Sequence, residues 1–490
     1  MDKHYLKMST EKKRTHDRLI ANDDSVVVKS LKKLKHEFTS NKLNKIVQNS
    51  LCANDLQNVS EVREYMQSRD THFSHSIDPK LEVTNQGLSG RCWMFAVLNV
   101  IRHDLIRDLQ LPYDFEFSES YLSFYEKIEK SNYFLTQFMD LDKIDPTNNP
   151  HIRDTLAIGL SEGGLWHSCV NLINKYGLIP KSCFLESVNS YSTDTIDNVV
   201  STKLREFANI LVNTDHSKRL NVKSDMMTQV YDLLSKMLGT PPCPDDIIKW
   251  SYVPKQDMAE LLEIDIQRKQ TGTYKTLEIK NEIETTPVEF YKKYVLKSLT
   301  DYMSLSHDPR NKFGVYYESF HEDAVIGQEI PGYYNAHMEL MVAACITSIL
   351  NNVPVMFCCD VGHYFNCDES LFDTKCFDYN LVLGSNLDSI SKANSLELKE
   401  SAANHAMVLV GVDLDEHGKP LKWEVENSWG ENFFGKSSND SHHYTMSHDW
   451  FQRFVYEVVI YKDMLPRQFT VKYHKSKKSK VILPEYDAML

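Results

Sequence analysis

Asn85-Gln86-Gly87-Leu88-Ser89-Gly90-Arg91-Cys92-Trp93 is the stretch on which the reading of this chain turns. A glycine-containing loop runs into an apolar-rich helix predicted to begin at Cys92. The thiol therefore sits where unpaired backbone N–H groups and the positive end of the helix dipole favour a thiolate. Gln86 offers a side-chain N–H that, with the Cys92 backbone N–H, can stabilise the oxyanion of a tetrahedral intermediate. A nucleophilic cysteine also needs a base held in place by a third group. Both residue types stand in the C-terminal part of the chain. His405 heads the apolar run His405 to Val412, and Asn427 follows the alternating run Leu421 to Glu426. If the two runs are adjacent strands, Asn427 accepts from one imidazole N–H and the other ring nitrogen faces the sulfur. The indole of Trp429, in Asn427-Ser428-Trp429-Gly430, can shield that hydrogen bond from water.

Working outward, 490 residues of which 42% are hydrophobic can bury a sizeable core, in one large or two to three coupled domains. The formal net charge of −13 argues against a generic nucleic-acid binder. It is unevenly placed: residues 1–46 carry +6, leaving −19 for the rest. Residues 1–80 are charged, helical in pattern and free of glycine, and form a basic N-terminal arm in which Ser30 to Phe38 is amphipathic. Residues 81–184 form a helical lobe containing Cys92, with a second helix opened by Ser118 as N-cap. Residues 185–337 form a helical insertion. A helix is expected there from Ser224 to the stop at Gly239 and Pro241-Pro242, and another at the capping sequence Thr286-Pro287-Val288-Glu289. Residues 338–465 form a β-rich lobe with strands at Val353 to Val361, His405 to Val412 and Leu421 to Glu426, and residues 466–490 form a C-terminal arm.

The first thirty residues lack the pattern of a secretory signal, and no apolar run reaches the roughly 18 residues of a membrane helix. Ten cysteines without paired CxxC spacing read as reduced thiols of a cytoplasmic protein, with Cys358 and Cys359 in a buried strand. The 19 histidines are scattered and show no HExxH, so neither a metal nor another cofactor is expected.

Gln86 with Cys92-Trp93, the His405 strand and Asn427-Ser428-Trp429-Gly430 resemble, in the same order, the signature blocks of papain-like cysteine peptidases. His405 stands 313 positions after Cys92, which implies a large insertion between the lobes. Within that superfamily the chain is most similar to the bleomycin hydrolase family. The likeness rests on Gly90-Arg91-Cys92-Trp93, Phe117 to Leu122, Glu162-Gly163-Gly164-Leu165-Trp166, Lys175 to Pro180 and Cys359 to Gly362. It extends from about residue 85 to the end. The resemblance implies an α+β papain-like two-lobed cysteine peptidase fold with a large helical insertion and N- and C-terminal arms. It implies an aminopeptidase acting on peptides with a free N-terminus, with bleomycin amide or homocysteine thiolactone as further substrates, assembled as a homohexamer. Cys92, His405, Asn427 and Gln86 are then catalytic, and Trp93 and Trp429 supporting. Gly163 and Gly164 let a substrate backbone approach closely.

In that family the C-terminal arm lies in its own cleft, where its carboxylate blocks the far side and pairs with a substrate α-ammonium. Leu483 to Leu490 matches the start of the arm but stops a few residues early and carries Tyr486 where Trp is usual. The Leu490 carboxylate is the expected ammonium ligand.

Each signal also has an ordinary structural reading: a lone Cys before an aromatic, or a lone His on an apolar strand, is usually core. The combination of all four groups decides for chemistry. Two alternatives stay open: a papain-like endopeptidase, which would cleave free and acylated N-termini alike, and a nucleic-acid-binding or scaffold ring with little catalysis. The Lys472 to Lys480 run reads as a solvated face or connector, and weak DNA or RNA binding through it is a minor hypothesis.

Overall fold

The computed structural model describes residues 28–255, 281–318, 325–430, 443–483, 487 and 489. The principal helices are α1 (Val28–Ser40), α2 (Lys42–Ala53), α3 (Cys92–Leu109), α4 (Glu119–Thr136), α5 (Trp166–Tyr176), α6 (Asp194–Val212), α7 (His216–Leu238), α8 (Met338–Leu350) and α9 (Arg467–Lys477). The strands are β1 (His75–Ser76), β2 (Ile248–Tyr252), β3 (Asn281–Thr285), β4 (Tyr302–Ser306), β5 (Tyr316–Glu318), β6 (Gly332–Asn335), β7 (Val355–Cys359), β8 (Phe365–Asn366), β9 (Leu371–Phe372), β10 (His405–Leu414), β11 (Pro420–Glu426), β12 (Tyr444–Ser447), β13 (Val455–Tyr461) and β14 (Val481–Ile482).

Two compact units result. One runs to Ser68 and takes in Phe377–Ser389; the other comprises Arg69–Cys376 and Ile390–Leu490 and holds all the elements described below. Its centre is a sheet with strand order β14-β5-β6-β4-β13-β7-β10-β11-β12-β9-β8, to which β1 adds beside β10. The first eight residues of β10 are all buried, because α3 and α8 both pack against this strand. A strand covered on both faces needs an unbroken apolar run, and His405 to Val412 supplies it. One apolar cluster joins Trp93, Met94 and Val97 of α3 to Ala406, Val408 and Val410 of β10, so the thiol-bearing helix and the histidine-bearing strand share a core.

The caps read from sequence form: Ser118 Oγ accepts from Tyr121 N at 3.2 Å, and Thr286 Oγ1 accepts from Glu289 N at 3.2 Å. Two expectations are corrected. The helix expected from Ser224 begins at His216, since nothing between His216 and Ser224 stops it; it ends before Gly239 as expected. Residues 185–337, expected to be helical, also supply β4, β5 and β6 to the central sheet and the β2–β3 pair. These strands are three to five residues long and gain their stability from partners distant in sequence, which local periodicity does not register. The strand β11, expected over Leu421 to Glu426, forms; it alternates in sequence but not in burial, Glu424 and Glu426 being as buried as Trp423 and Val425. Glu426 meets Arg102 and His103 of α3, and Glu424 meets Ser76, Lys80 and His443, so pairing with polar and charged partners takes the place of solvent.

Candidate active site

Arg91 precedes α3 with its backbone outside the helical region, and Cys92 is the first helical residue. The approach loop is held by a buried bidentate pair, Arg91 Nη1 and Nη2 to Glu186 Oε1 and Oε2, both at 3.0 Å, with further bonds from Arg91 to Ser89 Oγ and Ser190 O. The half-buried Cys92 thiol meets the backbone N–H of Ala406, the residue after His405. Sulfur and imidazole-bearing strand are thereby in contact. His405 Nε2 bonds Asn427 Oδ1 at 2.9 Å, and the Trp429 indole stacks on the His405 ring with centroids 4.9 Å apart. β10 and β11 are antiparallel neighbours, which accounts for the meeting of residues 22 positions apart.

Gln86 joins this group through Ser428. Residues 84–86 run antiparallel to 428–430: Gln86 N donates to Ser428 O at 2.8 Å, Gly430 N donates to Thr84 O at 2.9 Å, and Asn85 pairs with Trp429. Ser428 Oγ donates to Gln86 Oε1 at 2.6 Å, while Ser428 N donates to Asn427 Oδ1 at 2.8 Å. Gln86 Nε2 spends one N–H on Ser89 O at 2.6 Å, which fixes the plane of the amide.

Gly163 and Gly164 lie beside the nucleophile loop. Glu162 accepts from Gly90 N at 2.5 Å and from Thr193 Oγ1, and Lys130 Nζ donates to Gly163 O at 2.8 Å. Gly163 has φ +98°, and a Cβ there would point into open space. A Cβ at Gly164 would come within 2.9 Å of the Trp93 ring, so only glycine lets this segment lie flat on that indole. Leu490 and Tyr486 lie outside the described residues. Glu162, Arg91, Glu186 and Ser428 were not singled out from sequence as site residues. Glu162, Arg91 and Ser428 stand inside recognised blocks, but their bonds depend on tertiary pairing.

Burial pushes the Cys92 thiol above its ordinary value, with the backbone N–H groups of Ala406 and Trp93 pulling down and the Glu162 charge pushing up. The helix terminus therefore does not hold a thiolate by itself, contrary to the expectation from the loop sequence. Burial likewise takes His405 down to about 4, opposed by its bond to Asn427. Desolvation opposes either charge alone, so a thiolate is tolerated here only opposite an imidazolium.

His167 is also buried and lowered to about 4. Unfolded, both histidines would bind protons near pH 6.5, which the fold refuses until about pH 4. Stability is thus complete above that range and falls as pH drops from 6.5 towards 4, by about 1.4 kcal/mol per pH unit for each histidine. We expect urea midpoints to fall steeply between pH 7 and 4.5, and His167→Gln to shallow the slope. A midpoint constant over that interval would contradict the assignment.

Among the described residues, no helix is long and apolar enough to cross a membrane. The Peptidase C1-like family model matches residues 25–490. Bleomycin hydrolase of Homo sapiens is 31% identical over 457 residues, covering 91% of this chain and 93% of that protein. Aminopeptidase C of Lactococcus lactis subsp. cremoris is 32% identical over 460 residues, covering 92% and 96%. The crystal structure of PepW from Lactobacillus rhamnosis superposes with a TM-score of 0.84 at 28% identity, covering 95% of this chain and 99% of that one.

Proposed function

Because the chain belongs to the Peptidase C1-like family, and is accordingly a cysteine peptidase with the papain-like α+β fold, we propose that it removes N-terminal residues from peptides through a thioacyl-enzyme on Cys92. The single observation that carries this reading is the His405 Nε2 to Asn427 Oδ1 bond of 2.9 Å on a strand whose next residue touches the Cys92 thiol. His405 takes the thiol proton as Sγ attacks the scissile carbonyl carbon, forming the C–S bond. The second N–H of Gln86 Nε2 and the Cys92 backbone N–H receive the oxyanion, a term of about 3 kcal/mol for one such donor. The C–N bond breaks as His405 protonates the leaving amine. Water then gives its proton to His405 and attacks the thioester, releasing the acid and restoring the thiol. Asn427 keeps the ring oriented through both half-reactions.

Selection for a free N-terminus is assigned to the C-terminal arm, whose Leu490 carboxylate pairs with the substrate α-ammonium. Gly163 and Gly164 form the ledge on which the substrate backbone lies. The likeness to bleomycin hydrolase and aminopeptidase C supports this reading over an endopeptidase. Fluorogenic aminoacyl amides with free and with acetylated amines test it: a preference of at least about 100-fold for the free amine is expected, the scale of one buried ion pair at about 3 kcal/mol. Equal cleavage of both would favour the endopeptidase.

We place the enzyme in the cytoplasm as a homohexamer. Sedimentation at six times the chain mass of 56.8 kDa is the expected result; a monomer would refute it. Weak nucleic-acid affinity is assigned only to exposed Lys472, Lys475 and Lys478 on and after α9, since Lys477 and Lys480 are tied to Glu329 and Glu318. Salt-dependent binding by Cys92→Ala protein would reveal it.

A further inference from the structure

The C-terminal arm leaves the sheet at Leu483, whose N–H donates to Glu318 O at 3.0 Å, and is held again at two described points beyond it. Met489 is buried in a cluster with Tyr317, Tyr333, Leu396, Tyr456 and Leu483. Asp487 Oδ1 accepts from Arg310 Nη2 at 2.6 Å and from Met489 N at 3.0 Å. The guanidinium is itself fixed: Arg310 Nη2 and Nε donate to Asp308 Oδ2 and Oδ1 at 2.8 and 2.9 Å. Asp308 is fully buried and bonded in turn to Asn335 and Asn311. A single guanidinium nitrogen therefore bridges an immobile core carboxylate to a carboxylate on the arm.

Tyr456, which packs with Met489, leads to the site. Its hydroxyl is 2.6 Å from Ser401 Oγ, Ser401 donates to Asp360 Oδ2 at 2.6 Å, and Asn404 Nδ2 donates to Asp360 Oδ1 at 2.7 Å. Asn404 immediately precedes His405. Ordering a chain end costs backbone entropy that one buried methionine offsets only in part, so the charge-assisted bond to Asp487 decides whether the arm stays docked.

We propose that Arg310 is a specificity-determining positioning residue: by bridging Asp308 to Asp487 it latches the arm in place and so sets the preference for a free N-terminus. This rests on the aminopeptidase reading above. The test compares the unaltered protein with Arg310→Gln and Asp487→Asn, the second of which leaves the Asp308–Arg310 pair intact and so guards against misfolding of the first. Two quantities are read: the ratio of kcat/KM for free and acetylated aminoacyl amides, and the rate at which carboxypeptidase Y trims the C-terminus, followed by mass spectrometry. In both variants the ratio is expected to fall about tenfold and trimming to accelerate, with Asp487→Glu restoring both. Faster trimming at an unchanged ratio, or no change in either quantity, overturns the latch while the aminopeptidase reading stands. Equal cleavage of the two amides by the unaltered protein overturns that reading and the latch with it.

Discussion

Replacing Cys92 by alanine is expected to lower turnover of any aminoacyl amide by at least about 10⁵-fold, the scale found when a nucleophile is removed from a cooperating triad. The reason is the coupling between sulfur and ring. With burial pushing His405 down to about 4, the imidazole carries no proton at neutral pH and, without the thiol, has nothing to activate but water. The fold should persist, because the thiol is half-buried and α3 is anchored by Trp93, Met94 and Val97 rather than by Sγ. Circular dichroism and the urea midpoint should match the parent. Residual activity above about 1% would remove Cys92 from the mechanism.

The second large effect lies on stability. Glu426 is fully buried, and burial alone would raise its pKa; the Arg102 charge and the His103 bond reverse this and hold it at about 2. Arg102 Nη2 lies 2.7 Å from Glu426 Oε1 and also donates to Glu82 O, while Nη1 donates to Phe115 O. Arg102→Met leaves a carboxylate in the core without its cation, for which a loss of about 3–5 kcal/mol is expected. The double variant Arg102→Met with Glu426→Leu should regain most of that loss, because no charge then remains to be desolvated. Equal midpoints for parent and Arg102→Met, in chemical denaturation at pH 7, would show that the pair carries no stability. Since Glu426 directly precedes Asn427, the single variant should also lose activity before it unfolds.

Groups whose placement depends on local sequence were readable from sequence. Cys92 at the head of α3, His405 at the head of β10 and Asn427 at the foot of β11 each follow from a loop, a run and a boundary. What escaped is what depends on pairing across distance. The burial of Glu424 and Glu426 has no local signature, because alternation cannot distinguish water from a pairing Lys80 or a buried Arg102. The strands β4, β5 and β6 are too short for a period to declare itself. The grouping of Phe377–Ser389 with the N-terminal helices joins segments some 300 residues apart and has no local signature. The thiol's protonation was misjudged for a similar reason: a helix start is visible in sequence, whereas the desolvation that outweighs it is set by the core of α3 and β10.

The role of Ser428 bears on how this enzyme can wear out or diversify. One serine touches both the glutamine that would receive negative charge and the asparagine that holds the ring, so the two functions share an attachment in addition to the glutamine's own bond to Ser89 O. Gradual heating should therefore extinguish activity as a single-phase decay, without an intermediate that binds but turns over slowly. Descendants of this scaffold could not exchange that serine for the benefit of one half of the machinery while leaving the other untouched.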